Sequence, residues 1–185
     1  MDSRDYWSFT YSKKGLRNVS YTRDYIFLPS DGIIEEGHLI HKAPGSNWLI
    51  HSIPGSDQKL AFLVRGVSAG SDRIFEDLSH VFEWLPEVRA NYGNPVEAQV
   101  CGIVDGMRLA CFSHRADDLL FTSIHSFERP EDVLYHLLQA YAHSGLNPET
   151  DPLYISGEIF PESLLVQFLR RYFPGPRVQP FNFSS

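Results

Sequence analysis

Residues 98–126 read AQVCGIVDGMRLACFSHRADDLLFTSIHS, and this stretch decides the fold. An Asp-Gly pair between two apolar runs is a strong signal for a tight β-hairpin. The sequence therefore predicts one strand at Ala98–Val104 and a second at Met107–Phe112. Asp105 and Gly106 form the predicted two-residue turn between them.

The predicted turn also sets the register of the hairpin, because it makes Val104 face Met107. Side chains alternate across a strand, so one apolar face of the hairpin should lie on the core. That face consists of Ala98, Val100, Val104, Met107, Leu109 and Cys111. The same alternation puts Cys101 and Cys111 on opposite faces, so the sequence predicts two buried thiols rather than a disulfide.

Downstream of the hairpin, the pattern changes from strands to alternating helices and strands. Apolar residues recur at helical spacing in two segments, one beginning at Pro130 and ending at Gly145, the other beginning near Pro161. Their predicted buried residues are Val133, Leu134, Leu137, Leu138 and Tyr141 in the first, and Leu164, Leu165, Phe168, Leu169 and Tyr172 in the second. The other predicted elements are a polar loop at Ser113–Asp118 and strands at Leu119–Ser126, Leu153–Ser156 and Val178–Phe181. The order β-β-β-α-β-α-(β) predicts an α/β protein with a mixed sheet of the ribonuclease-H/actin-like kind.

The N-terminal half predicts a smaller, strand-rich lobe. Turn residues separate four predicted strands and one helix, at Tyr25–Leu28, Gly37–Lys42, Trp48–Ile53, Lys59–Val64 and about Asp72–Trp84. Asn91–Pro95 is the best boundary in the chain. We therefore expect a reduced N-terminal lobe over residues 1–94 and the βββαβα(β) lobe over residues 95–185.

Composition limits the functions that the chain can have. The net charge of −7 argues against a nucleic-acid partner, because phosphate binding requires a basic surface. The longest apolar run, Leu60–Val64, is far shorter than a membrane span. The N-terminus has no apolar core of the secretory type. We therefore expect a cytoplasmic protein that binds neither nucleic acid nor membrane.

Residues 124–159, IHSFERPEDVLYHLLQAYAHSGLNPETDPLYISGEI, resemble a known family. The most telling pieces are Pro130–Asp132, Asn147–Pro152 and Leu153–Ile159. They are similar to domain-of-unknown-function family 3822, bacterial proteins found mainly in Bacteroidota, and the resemblance is best over Val96–Val178. It implies an actin-like ATPase fold with a biochemical role that is not established. The chain departs from the family in having room for only a reduced first lobe, and in having Arg129 where serine or threonine would cap the helix better.

An actin-like fold implies a nucleotide held by glycine-rich turns, with a carboxylate that organises magnesium. Asp105 and Gly106 occupy the position of a phosphate-binding hairpin, although a plain tight turn also explains them. Gly157 and Glu158 occupy the position of the turn that contacts adenosine, but Glu158 replaces a second glycine and would repel phosphate, so a plain strand-to-helix turn explains them better. These four residues are the candidate cofactor-binding residues, and ATP with magnesium is the cofactor that they would hold.

No other constellation in the sequence predicts catalysis. His114, Asp117 and Asp118 share one predicted loop and could bind a metal, but a solvated loop explains them better. The predicted strands do not supply the converging carboxylates of a two-metal nuclease. We therefore predict no catalytic residue and no metal ligand. The favoured function is a non-catalytic interaction or scaffold protein that binds a protein partner or itself, and the alternative is an ATP-binding protein or weak ATPase.

Overall fold

A computed structural model of the chain describes residues 18–20, 22–29, 46–53, 56–65, 78–86, 97–116 and 118–180. The chain divides into two compact units, Met1–Glu87 and Val88–Phe183. The predicted domain boundary after residue 94 and the predicted strand at Gly37–Lys42 lie outside the described residues. Within the described ranges, no helix has the length and apolar character needed to cross a bilayer.

The N-terminal unit is built from short strands. Its described elements are β1 (Asn18–Ser20), β2 (Tyr25–Pro29), β3 (Ser46–Ser52), β4 (Gln58–Arg65), β5 (Leu78–His80) and a 3-10 turn (Val81–Trp84). Strand β4 lies between β2 and β3 in an antiparallel sheet, whereas β1 and β5 pair in parallel. Three of the predicted strands are therefore confirmed, because β-rich segments bounded by Pro and Gly form strands here as expected.

The predicted helix at Asp72–Trp84 is wrong over its described part, where the chain forms β5 and a 3-10 turn. His80 is extended and caps the turn, because its Nδ1 accepts a hydrogen bond from the backbone N–H of Phe82. Nε2 is then the protonated nitrogen, and it donates to the carbonyl oxygen of Thr22 at 3.1 Å. Complete burial lowers the pKa of His80 to about 4. A neutral, fully buried cap thus replaces the helical turn that apolar spacing predicts.

The C-terminal unit contains a five-stranded mixed sheet and two helices. Its elements are β6 (Gln99–Asp105), β7 (Arg108–Arg115), β8 (Asp118–Ser126), α1 (Pro130–Ser144), β9 (Leu153–Gly157), α2 (Leu164–Leu169) and β10 (Arg177–Pro180). The strand order is β10-β9-β6-β7-β8. Strands β10, β9 and β6 are parallel, and β6, β7 and β8 are antiparallel. The predicted order β-β-β-α-β-α-β is confirmed.

The turn of the β6–β7 hairpin lies one residue later than predicted. Asp105 pairs with Arg108, so the turn consists of Gly106 and Met107. Gly106 has a φ of +55°, which suits the first central position of a type II′ turn. Met107 is therefore 55% exposed at the tip instead of lying on the core.

Strand β7 runs further than predicted, into the expected polar loop. Ser113 and His114 are fully buried strand residues, and His114 pairs with Gln99. Each residue of β6 pairs with a β7 residue two positions later than predicted. Because this shift is an even number, the residues predicted to share a face of the sheet still share it. Cys111 pairs with Gly102 and therefore lies on the opposite face from Cys101, as predicted. The two thiols are buried and form no disulfide with each other, and burial raises the pKa of Cys111.

Helix α1 begins at Pro130 and ends at Ser144, as its sequence signals predict. The carboxylate of Asp132 accepts hydrogen bonds from the backbone N–H groups of Glu128 and Arg129, each at 3.0 Å. These bonds hold the pKa of Asp132 below its usual value. Asp132 thus supplies the cap that the side chain of Arg129 cannot. Gly145 ends the helix in the left-handed conformation.

The buried faces of both helices are confirmed for most of the predicted residues, and the exceptions are Leu138, Leu164 and Tyr172. In α1 the fully buried residues are Val133, Leu137, Ala140 and Tyr141, and Leu138 is 40% exposed. In α2 the prediction is wrong for the two end residues, because Leu164 is 82% and Tyr172 is 51% exposed. Ser163 caps α2 through a bond from the N–H of Val166, so the helix begins later than Pro161. Its buried face is formed by Val166, Leu169 and Phe173.

Candidate functional site

The two predicted ligand-binding turns lie side by side at one edge of the sheet. Strands β6 and β9 are parallel neighbours, and Val104 pairs with Gly157. The chain segments that leave these strands, 106–107 and 158–164, therefore begin at the same edge, which we call the carboxyl edge. In α/β folds, ligands bind outside the carboxyl ends of the parallel strands. The structure thus brings together all four candidate residues that the sequence singles out.

Gly157 is explained by a backbone contact. Its φ is +97°, and an added Cβ would lie 2.1 Å from the carbonyl oxygen of Val104. The same carbonyl oxygen accepts a hydrogen bond of 2.8 Å from the N–H of Glu158. A side chain at position 157 would therefore collide with β6. The packing of β9 on β6 requires glycine here whether or not a ligand binds.

Asp105 is a buried carboxylate at the end of β6, with 5% of its surface exposed. Its Oδ2 lies 3.7 Å from Nη1 of Arg108, the residue that it faces across the hairpin. The sequence predicts Asp105 in the turn, whereas the structure has it in the strand. This ion pair stabilises the hairpin just before its turn.

Ser156 is a polar residue of this site that sequence reasoning missed. It is 1% exposed, and no group in the described part of the chain forms a hydrogen bond with its Oγ. Ser156 pairs with Ile103, so its side chain shares a sheet face with Asp105, which lies two residues beyond Ile103. A serine between isoleucine and glycine in an apolar strand is the signal that could have identified it.

The carboxyl edge also exposes alternating acidic and apolar side chains. Glu158, Phe160, Glu162 and Leu164 are all exposed, with Phe160 at 68% and Leu164 at 82%. Ile159, between the first two, is buried in the core of the unit. The side chain of Ile159 therefore anchors the segment in the core, whereas those of Phe160, Glu162 and Leu164 are exposed to solvent. Apolar spacing predicts a buried Leu164, which is wrong, and it does not predict the exposed Phe160.

The structure describes two of the three residues in the other candidate group, and these two differ in their surroundings. His114 is buried in β7, and its Nε2 lies 2.6 Å from Nε2 of Gln99. Asp118 is exposed at the start of β8, and Asp117 lies outside the described residues. Within the described residues, no three metal-ligating side chains come together.

Side chains at the carboxyl edge offer oxygen ligands for magnesium, but the described backbone does not offer the N–H donors that a phosphate needs. Asp105 and Ser156 offer oxygen atoms, which are the ligands that magnesium prefers. A phosphate instead needs free backbone N–H groups around a glycine-rich turn. The N–H of Glu158 is already bonded to Val104, and the hairpin turn has two residues only. The described residues therefore supply two oxygen ligands at this edge, and the described backbone does not form a phosphate cradle.

Comparison with known proteins agrees with this architecture. The structure is similar to the crystal structure of a protein from Bacteroides thetaiotaomicron, described as having an actin-like ATPase fold and unknown function. The two share 14% sequence identity with a TM-score of 0.64, over 89% of this chain and 67% of the other. The chain is thus an α/β protein with an actin-like ATPase fold.

The family resemblance noted in the sequence is confirmed as well. Residues 90–175 match the model of the family described as protein of unknown function DUF3822. The match spans β6 to α2, which is the part of the C-terminal unit that carries the candidate site. A comparison with curated proteins gave no match.

Proposed function

We propose that this chain is a non-catalytic interaction protein that binds a protein partner through the carboxyl edge of its five-stranded sheet. The observation that carries the proposal is the exposure of Phe160 and Leu164, on a segment that begins at the carboxyl edge, where α/β folds bind their ligands. Large apolar side chains exposed close together mark interaction surfaces more often than isolated ones do.

The charges around these residues indicate the kind of partner. Glu158 and Glu162 alternate with Phe160 and Leu164, and all four are exposed. The matching surface is therefore an apolar patch on a protein, surrounded by lysine or arginine side chains. Aromatic residues at the centre of such a contact contribute most of its binding energy, and the rim charges contribute specificity.

Site-specific crosslinking in native cells tests this proposal. A photo-crosslinking phenylalanine analogue at position 160 is expected to capture a discrete partner protein. The same analogue at Tyr135, which is 59% exposed on α1, is the matched control and should not capture it. Absence of a product from position 160, or an identical product from position 135, would contradict the proposal.

Affinity measurements with the purified partner complete the test. Replacing Phe160 and Leu164 with serine is expected to weaken binding by about 30-fold or more, because the two side chains would be central contacts. Charge reversal by Glu158→Lys and Glu162→Lys should weaken it less, and mainly at low salt. Equal affinity of the wild type and the double serine variant would show that the partner binds elsewhere.

A second candidate function is the binding of magnesium-ATP at the same edge. The observation that favours it is Ser156, a buried hydroxyl on the sheet face of Asp105 with no hydrogen-bond partner in the described residues. Buried polar groups are normally paired, so such an oxygen is a candidate ligand.

Thermal unfolding with magnesium-ATP tests this second function. At a hundredfold excess over the dissociation constant, specific binding should add about 2.7 kcal/mol and raise the unfolding midpoint by several degrees. Asp105→Asn and Ser156→Ala should abolish the ligand-dependent rise, whereas Asp118→Asn, at an exposed strand end, should not. If magnesium-ATP leaves the midpoint unchanged, nucleotide binding is ruled out as the function.

A further inference from the structure

A cavity of about 410 Å³ lies at the opposite edge of the same sheet. Its lining residues precede or begin the three parallel strands: Glu97 before β6, Asp151 and Pro152 before β9, and Pro174 and Arg177 at β10. The volume falls within the range of small-molecule sites. The cavity therefore lies at the amino ends of β6, β9 and β10, away from the carboxyl edge.

Arg177 is held in place on one wall of this cavity. Its Nη1 donates a hydrogen bond to the hydroxyl group of Tyr154, and its guanidinium carbon lies 5.2 Å from the centre of the same ring. Both contacts orient the plane of the guanidinium group. The remaining N–H groups form a fork that matches a carboxylate.

Two carboxylates line the same cavity. Asp151 is fixed by its own loop, because its Oδ2 accepts a bond of 2.7 Å from the N–H of Asn147. Glu97 is exposed just before β6. This part of the cavity therefore favours positive charge.

The opposite charges in the cavity do not neutralise one another directly. Among the residues that the structure describes, no ion pair joins Arg177 to Glu97 or to Asp151. Side chains of opposite sign that line one space without pairing leave room for a molecule carrying the complementary charges. The cavity has one cationic side chain and two carboxylates, so it matches a ligand that has one carboxylate group and two cationic groups.

We propose that this cavity binds a free cationic amino acid, with its carboxylate on Arg177 and its two ammonium groups near Glu97 and Asp151. L-Lysine has this set of charges, and its small size is compatible with the cavity. Pro152 and Pro174 supply apolar surface for its methylene groups. The site is separate from the partner-binding edge, so either proposal can fail without the other.

Calorimetric titration of the full chain with three related ligands tests the proposal. L-Lysine is expected to bind, whereas norleucine, which lacks the side-chain ammonium group, and cadaverine, which lacks the carboxylate, should each bind at least about tenfold more weakly. No detectable binding of L-lysine at about 10 mM would overturn the proposal. Equal binding of all three ligands would overturn it too.

Variants of the chain then assign the contacts. Arg177→Gln should weaken L-lysine binding by about tenfold or more but should not weaken cadaverine binding, since cadaverine has no carboxylate and is repelled by the cationic Arg177. Glu97→Gln should weaken both ligands. Arg170→Gln is the matched control, because Arg170 is exposed in the same unit and does not line the cavity. An Arg177→Gln variant that binds L-lysine as the wild type does would exclude the proposed orientation.

Discussion

Replacing Gly157 with alanine is expected to lower the free energy of unfolding by about 4 kcal/mol. Two costs add. The left-handed φ of +97° costs an ordinary residue about 1–2 kcal/mol. The new Cβ would also lie 2.1 Å from the carbonyl oxygen of Val104, and forcing atoms into a packed site costs about 1–3 kcal/mol. Denaturant unfolding measures the loss.

Gly106→Ala and Gly175→Ala are the matched controls for this prediction. Both glycines have positive φ, at +55° and +67°, but an added Cβ meets no atom within 4 Å at either position. Each should therefore show only the backbone cost of about 1–2 kcal/mol. If Gly157→Ala costs no more than these controls, the close contact between β9 and β6 is not what requires glycine.

A substitution at Gly157 would disturb the packing of β9 on β6 as well as any contact with a ligand. Loss of ligand binding after substitution at position 157 would follow from a displaced β9 as readily as from a lost ligand contact. Substitution of Gly157 therefore cannot distinguish nucleotide binding from folding. Asp105→Asn and Ser156→Ala are the better variants, because neither introduces a new atom into the contact.

Replacing Leu137 with alanine is expected to destabilise the chain by about 4 kcal/mol, within the usual range for a buried leucine. Leu137 is fully buried in the core formed by α1, α2 and the sheet. It lies directly over β6, since a Cβ at Gly102 would be 3.2 Å from its Cδ2. Removing its side chain would leave a cavity at the centre of this core.

Leu138→Ala is the control on the same helix. Leu138 is the next residue, but it is 40% exposed and should cost well under half as much. Equal losses at the two positions would mean that α1 packs on the sheet with a different face. Chemical denaturation of both variants under one set of conditions makes the comparison.

The amino-acid sequence by itself determined the order of elements in the C-terminal unit. An Asp-Gly pair between apolar runs specified the hairpin, and Pro130 and Gly145 specified the ends of α1. These signals are local, because each depends on the conformations that one or two residues prefer. The family match, over residues 90–175, covers most of the same unit.

Only the tertiary structure decided how these elements meet. The hairpin turn moved by one residue because the pairing of Asp105 with Arg108 and the left-handed Gly106 suit a turn at 106–107. The exposure of Leu164 and Leu138 depends on which neighbours cover each helix, and apolar spacing alone does not specify that phase.

The candidate site was likewise determined partly by the sequence and partly by the tertiary structure. The sequence identified Asp105, Gly106, Gly157 and Glu158, and parallel pairing of β6 with β9 brings them to one edge. Ser156, the exposed side chain of Phe160 and the cavity at Arg177 were not predictable, since each depends on residues distant in the sequence. Local preferences of the chain therefore specify the elements, whereas contacts between distant segments specify which side chains are buried, paired or left exposed for binding.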